Sequence, residues 1–506
     1  MQDHLLSLLI WLPILSAVFI LALGEKRAVL ARWVALGASL IVVATAVQAW
    51  LSFDPQASAM QLVERVSWVP AFNIYYHLGV DGIALPLVLL TAVISAVVLI
   101  AGWEVIEKQI VQYYAAFLVL EGLMIGVFCA MDAMLFYVFF EAMLIPMFII
   151  IGMWGGPRRV YATIKFFLYT FFGSIFMLVG LIYLYFKSGN SFALSDWNLL
   201  QLSANEQFWL FLSFLLAFSV KIPMFPVHTW LPDAHVEAPT GGSMVLAAIM
   251  LKIGGYGFIR FSLPITPDAS AELAWVLISL SLIAVLYIGV VALVQRDMKK
   301  LVAYSSISHM GFVTLGLFIA YDLAAKQLPD VSALAVQGAL MQMLSHGFVS
   351  AAMFGCIGVL YDRVHSREIS DYGGVLSTMP WFGAFAIFFA MANCGLPGTS
   401  GFVGEFLVIL AAVQSNPWIG AAAGLTLVLG AAYTLWMVKR VFLGAPDKPQ
   451  VQALTDISPR EWVMLGTLAA YTLYFGLFPK PLIDVMQPSV EKLVQQLSVS
   501  KIGISQ

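Results

Sequence analysis

The chain has 506 residues, 61% of them hydrophobic and only 10% charged, with a net charge of −3 and a mean hydropathy of +0.92. An ordinary soluble domain carries about 25% charged residues, so a water-solvated globule is excluded, and the slight acidic balance gives no support to nucleic-acid binding. The apolar runs are about twenty residues long and do not alternate, which excludes a membrane β-barrel and leaves helices, because backbone groups in lipid must be satisfied within their own segment.

Taken in chain order, the runs predict an all-α integral membrane protein of about fourteen transmembrane helices. The first, 5–23, has Asp3 before it and basic residues after it, the wrong order for a cleaved signal peptide, and reads as the first span. Spans at 33–51 and 79–102 are separated by 52–78, which is polar, aromatic and proline-bearing and is expected to form a small extramembrane hairpin. Spans four to eight follow at 112–130, 132–151, 161–187, 208–230 and 241–263, with a polar link at 189–207. Spans nine to thirteen lie at 273–294, 300–320, 332–361, 380–412 and 419–440, and a last one at 461–479.

Two of these spans are interrupted. Span seven carries Lys221 and then Pro223 and Pro226 in "KIPMFP", and span twelve is broken at "CGLPGTSGF", Cys394 to Phe402. An odd spacing of five spans gives the blocks 112–263 (spans 4–8) and 273–440 (spans 9–13) opposite orientations, the inverted repeat with paired discontinuous helices of many ion-coupled transporters. Residues 1–111 then form a three-helix N-terminal segment with the hairpin, and 441–506 a C-terminal helix and tail. With the N-terminus outside, about fifteen Lys and Arg fall in inner loops against about six in outer ones, so both termini are expected to face outward.

The chemistry sits in ionisable residues at membrane depth. At 1.5 Å per residue, Lys221 lies about 20 Å into span seven, Glu141 about 14 Å into span five and Lys252 about 16 Å into span eight, each near the midplane. His309, His346 and Glu121 reach similar depths in spans ten, eleven and four, and Glu405 follows the break in span twelve. A charge at a helix centre costs roughly 2.5–3.5 kcal/mol on insertion scales, so these groups are expected to face the bundle interior, pair and hold water. A row of groups that each gain or lose a proton is a candidate proton wire. At Lys221 the two prolines cannot donate, so carbonyls one turn back are freed and are expected to hold water beside the ammonium. His228, Asp233, His235 and Glu237 read as members of an inner loop that is either solvated or lines an entry funnel. Cys129, Cys356 and Cys394 are scattered, with no metal spacing and no disulfide frame, and no nucleotide-binding glycine loop is present.

The blocks "YVFFEAMLIPMF", "KIPMFPVHTWLPDAHVEAPTGGSMVLAAIMLK", "DMKKLVAYSSISHMGF" and "GLPGTSGFVGEF" resemble the antiporter-like subunits of respiratory complex I, the proton-pumping NADH:quinone oxidoreductase. The resemblance covers nearly the whole chain and is strongest to the M type, chain 4 in mitochondria. It implies Glu141 and Lys221 as a pair that modulates pumping, Lys252 as the central lysine, His309 and His346 as links, and Glu405 as the terminal carboxylate. Glu405 is the discriminating residue, since sister chains and Mrp-type cation/proton antiporter subunits typically carry lysine there. Glu121 has no equally firm counterpart. The resemblance further implies a bacterial inner-membrane location and partner membrane subunits, including sister chains L and N. It places FMN, Fe–S clusters, NADH and quinone in partner subunits, with no cofactor or metal in this chain. The alternatives are an Mrp-type antiporter subunit and a passive membrane scaffold.

Overall fold

The structure, a computed structural model, describes residues 4–502. The first helices are α1 (Leu5–Leu23) and α2 (Ala28–Leu51), then strands β1 (Gln61–Val69) and β2 (Ile74–Val80), then α3 (Ala84–Ala101) and α4 (Ile110–Cys129). The strands pair antiparallel, from Gln61 opposite Val80 to Val69 opposite Ile74, which is the expected hairpin. α5 (Ala133–Ala142) and α6 (Leu144–Trp154) share one apolar run, and α7 (Arg159–Lys187) follows. α8 (Ala204–Lys221) and α9 (Trp230–Glu237) are separate helices on either side of the proline-bearing break. Next come α10 (Thr240–Ile265), α11 (Ala274–Leu293), α12 (Met298–Ala325) and α13 (Pro329–Val364). α14 (Pro380–Asn393) and α15 (Ser400–Ser415) flank the second break, followed by α16 (Pro417–Val441), α17 (Pro459–Leu477) and α18 (Lys480–Leu497).

Among the described residues, eleven helices are long and apolar enough to cross a membrane, or twelve if α17 and α18, bent by 68° at Pro479, are taken together. α14 and α15 are shorter apolar helices. Helix starts coincide with capping side chains. Asp132 accepts from Met134 N and Leu135 N at the start of α5, and Ser203–Glu206 and Ser458–Glu461 form reciprocal capping boxes for α8 and α17.

Burial separates an inner bundle from a lipid-facing rim. α10 and the central turns of α13 are buried throughout and α12 almost so, whereas α1, α2, α7 and α16 have less than half of their apolar stretch buried. The interior is still mostly apolar, and the buried ionisable side chains, Glu121, Lys221, Lys252, His309, His346 and Glu405 among them, are set into it.

Loop contacts sort onto two faces. On one, the hairpin meets the 188–203 link (Asn73 Nδ2 to Asn190 O, 3.1 Å), and α18 packs on the start of α3 (Gly82 N to Ser489 Oγ, 3.1 Å). Gly82 is needed there, because a Cβ would lie 1.9 Å from Val485 O. On the other face, Lys299 Nζ donates to Ala238 O (2.7 Å), Arg158 N to Glu237 (2.9 Å) and Arg460 to Ala101 O (2.6 Å). α18 was not foreseen as an element: its helix-period alternation belongs to a segment lying on a surface, so a search for long apolar runs passes over it.

Candidate functional site

Lys221 closes α8, where its ammonium meets the negative end of the helix dipole. Two carbonyls around the break have protein partners: Ser219 O accepts from Met224 N (2.8 Å) and Val220 O from the indole nitrogen of Trp230 (3.0 Å), each with a second lone pair left over. A tryptophan at the start of α9 thus satisfies what the prolines free. The ammonium itself is 1% exposed and has no hydrogen-bond partner; it lies over the ring of Phe140, 4.7 Å from the centroid. This cation–π contact offsets part of its desolvation. Glu141, the next residue, keeps a buried Oε1 without a partner and is within Coulombic reach of Lys221, but the two carry no direct ion pair.

Lys252 sits between two π-helical stretches of α10, Leu246–Met250 and Phe258–Ser262. Such widened turns disturb the regular ladder and concentrate at functional sites. Its Nζ, fully buried, donates to Ala247 O (2.6 Å) and lies 2.7 Å from His346 Nδ1 on α13. The ring of His346 is 5.5 Å from that of His309 on α12, and His309 Nδ1 is 2.9 Å from Glu405 Oε1 on α15. Four helices therefore bring Lys252, His346, His309 and Glu405 into one buried row. A cavity of about 10 Å³, the size of roughly one water, lies among His309, Gln342, Ser345, His346, Asn393 and Glu405.

Glu405 owes its place to the break before it. Gly395, at φ +74°, leaves room that a Cβ would take, 2.7 Å from Glu405 Oε2. Gly404 lets the backbone of α15 approach Gln342, 2.5 Å from where a Cβ would stand.

One member of the row was missed in the sequence. Gln342 Nε2 lies 3.1 Å from His309 Nδ1 and 3.3 Å from Glu405 Oε1, so it bridges the histidine and the carboxylate. The available signal was its spacing of four from His346, which puts both on one helix face. His235 is not in a solvated loop. It lies on α9, 0% exposed, stacked 4.3 Å from the ring of Phe354, with neither ring nitrogen partnered. Its neighbours Val236 and Glu237 line a cavity of about 350 Å³ on the basic face, together with Lys108, Lys299, Asp362 and Arg367. Glu121 stands apart from the row: it is buried, accepts from Ser39 Oγ (3.0 Å) and leaves Oε2 unpartnered.

The two lysines are tied by a glycine. Gly254 packs on the end of α8, where a Cβ would lie 2.6 Å from Ile222 N and 2.8 Å from Phe218 O. Backbone cannot yield there, so Gly254→Ala is expected to push α10 from α8 and cost about 1–3 kcal/mol of stability. A thermal unfolding transition unchanged from the parent protein would refute this.

Among the described residues, no three His, Cys, Asp or Glu side chains are grouped to hold a metal ion. Groups that titrate, placed in contact and shielded from lipid, can instead hand a proton between helices.

Residues 130–430 match the transmembrane family described as NADH:quinone oxidoreductase/Mrp antiporter. The chain is similar to NADH-quinone oxidoreductase subunit M of Rhodobacter capsulatus, 46% identical over 98% of this chain and 97% of that protein. It is also similar to a chain in the structure of respiratory complex I from Thermus thermophilus with bound NADH, 29% identical, covering 98% of this chain and 100% of that one, with a TM-score of 0.87. A chain of the Mrp complex from Dietzia sp. shares the fold (TM-score 0.83) over 98% of this chain and 99% of its own length, at 19% identity. An identity of 46% carried from end to end, on a bundle of the same shape, places the chain in the NADH:quinone oxidoreductase/Mrp antiporter family, and within it among the NADH-quinone oxidoreductase M subunits.

Proposed function

We propose that the chain moves protons through the membrane arm of an NADH-quinone oxidoreductase, using the buried row as its path. The observation that carries this reading is the contact sequence Lys252 Nζ–His346 Nδ1 (2.7 Å), His346–His309 (ring centroids 5.5 Å) and His309 Nδ1–Glu405 Oε1 (2.9 Å). Lys252 gives its proton to His346, His309 passes one to Glu405, and the cavity beside them holds the water that closes the gap between the two rings. Glu141 and Lys221 set the charge at the head of the row. A change in a neighbouring subunit alters their mutual attraction, Lys221 takes or releases a proton, and Lys252 responds to the altered field. The basic-face cavity at Val236 and Glu237 is the entry side, with His235 between it and the lysines.

Electrons travel in other subunits, where NADH, FMN, Fe–S clusters and quinone are held; sister chains L and N are expected neighbours in the membrane. Taking α8 with α9 and α14 with α15 as single interrupted crossings brings the count to about fourteen and supports the inverted-repeat arrangement of 112–263 and 273–440. The clustering of basic residues opposite the hairpin supports a bacterial inner-membrane orientation with both termini outward.

The test is Lys221→Ala, and separately Glu141→Ala, in the intact complex reconstituted in vesicles. Each is expected to assemble and to lose most NADH-driven proton translocation. Full pumping stoichiometry in either assembled variant would leave the buried charges as a scaffold feature. Co-purification with Fe–S subunits separates this reading from an Mrp-type antiporter, for which sodium-dependent transport without NADH is the expected activity.

A further inference from the structure

A second polar cavity lies on the hairpin face, away from the row. It encloses about 150 Å³ between the hairpin, α10 and α18, and Asp81, Asn198, Arg260, Ser489 and Lys492 are among its lining residues. A single water needs roughly 15 Å³, so this polar volume has room for a cluster. Its floor is made by α10. Lys252, Tyr256 and Arg260 recur every four residues along that helix and so share one face. Eight residues at 1.5 Å each put Arg260 about 12 Å from Lys252 along the axis.

What stands between the cavity and Lys252 is therefore legible side chain by side chain. Tyr256, one turn from Lys252, is buried and itself lines the inner end of the cavity, and its one hydroxyl proton is donated to Phe128 O (2.7 Å). The Arg260 guanidinium lies over the Tyr256 ring, 5.0 Å from its centroid, and is bound by Asp81. Asp81 is itself fixed, because Oδ1 also accepts from Ile83 N (3.1 Å) and Ala84 N (2.9 Å) at the start of α3. Beside this column, the hairpin-face flank of Lys221 is filled by phenylalanines: Phe218 packs 5.6 Å from Phe258, 5.8 Å from Phe261 and 6.5 Å from Phe136. The lysine of α8 is sealed by apolar rings, while the lysine of α10 has a polar column above it.

We propose that Arg260, held in place by Asp81, is a cationic plug that closes the short route from Lys252 to the hairpin face, so that a proton on Lys252 leaves sideways through His346. The chemistry of the guanidinium makes it suitable. It does not give up its proton in proteins, so it ends a relay rather than joining one. Its fixed positive charge repels an arriving proton, as an arginine does in pores that conduct water but exclude cations. Asp81 accepts from two amides at the start of α3, which shares its negative charge between the helix N-terminus and the guanidinium. Without such a plug, a lysine one or two helical turns from a wet cavity would leak the proton it is meant to hand on.

This inference rests on the reading of Lys252 as a proton carrier, and its test is a passive one. The intact complex is reconstituted in vesicles, a pH gradient is imposed without NADH, and its decay is followed with a pH-sensitive dye. Arg260→Gln is expected to collapse the gradient at least about tenfold faster than the parent, since neutralising the plug opens a polar path. Adding Lys252→Met to that variant restores a tight membrane. Asp81→Asn keeps the guanidinium but loosens its hold, so its leak falls between those of the parent and Arg260→Gln. An assembled Arg260→Gln complex that holds its gradient, or a leak that Lys252→Met does not close, overturns the plug. If Arg260→Gln fails to assemble, electron cryomicroscopy of the unaltered complex decides. Waters reaching Arg260 and Tyr256 and none between Tyr256 and Lys252 are expected; a file of waters past Tyr256 to Lys252 overturns the proposal. Because the leak is read without turnover, its failure leaves the pumping proposal standing, and loss of pumping in Lys221→Ala says nothing against the plug.

Discussion

Lys252→Met is expected to abolish coupled proton translocation while leaving the complex assembled. Methionine keeps the length and apolar stem of lysine but removes the nitrogen that lies 2.7 Å from His346 Nδ1 and 2.6 Å from Ala247 O. Methionine leaves no opposite charge unpaired and removes the desolvation cost of the cation, which offsets the donor that Ala247 O and His346 Nδ1 lose. The thermal unfolding transition should therefore stay or rise, which separates a functional loss from a structural one. Losing a group that receives and passes a proton costs typically 10²–10⁴-fold in comparable acid–base steps; even the low end removes pumping from a coupled assay. The measurement is acidification of reconstituted vesicles on adding NADH and a quinone. Glu405→Gln, at the other end of the row, should give the same loss, with the His309 contact kept by the amide. Pumping at the parental rate in an assembled Lys252→Met complex would show that the row is not the path.

The ionisable residues were legible because lipid makes them conspicuous. A lysine in "AAIMLKIGG" or a glutamate in "GFVGEFLVIL" stands out against its apolar neighbours, and its cost demands a partner. The interrupted helix at Lys221 was legible for the same reason, since prolines in an apolar run announce a break. What stayed hidden depends on relations between segments. Gln342 is an ordinary polar residue until α13 is set beside α12 and α15, and only then does it bridge His309 and Glu405. His235 sits in a polar stretch that reads as loop, and its burial follows from α9 folding back under Phe354. Trp230 could not be expected to take the carbonyl of Val220, because that contact spans the break itself. The absence of a direct Glu141–Lys221 contact is likewise invisible to spacing: pattern gives depth along each helix, but not which side chain meets the ammonium, here the ring of Phe140.

Arg363→Ala is expected to have the largest effect on assembly. Arg363 stands at the basic-face end of α13, and its guanidinium is saturated. It forms a fork on Glu461 (2.8 Å to each carboxylate oxygen) and donates to Val359 O (3.0 Å), Thr455 O (3.0 Å) and Asp456 O (3.3 Å). Glu461 is in turn the capping partner of Ser458 at the start of α17. One side chain thus ties a helix of the inner bundle to the cap of another and to the loop before it. Removing one partner of a buried pair costs 3–5 kcal/mol, because the other is left uncompensated. The low end, about 3 kcal/mol, applies here: Arg363 is 18% exposed, and Arg460 remains 3.4 Å from Glu461 to take up part of its charge. Arg363→Lys keeps the charge but cannot reproduce five donors in a fixed fork, so it should recover only part of the loss. The double variant Arg363→Ala/Glu461→Ala should be less destabilised than the sum of the single ones, because the orphaned carboxylate is then gone. The readout is the yield and thermal transition of the intact complex. Strict additivity of the two single variants would mean that the fork is a contact of convenience, and that α13 and α17 are held together by their apolar faces alone.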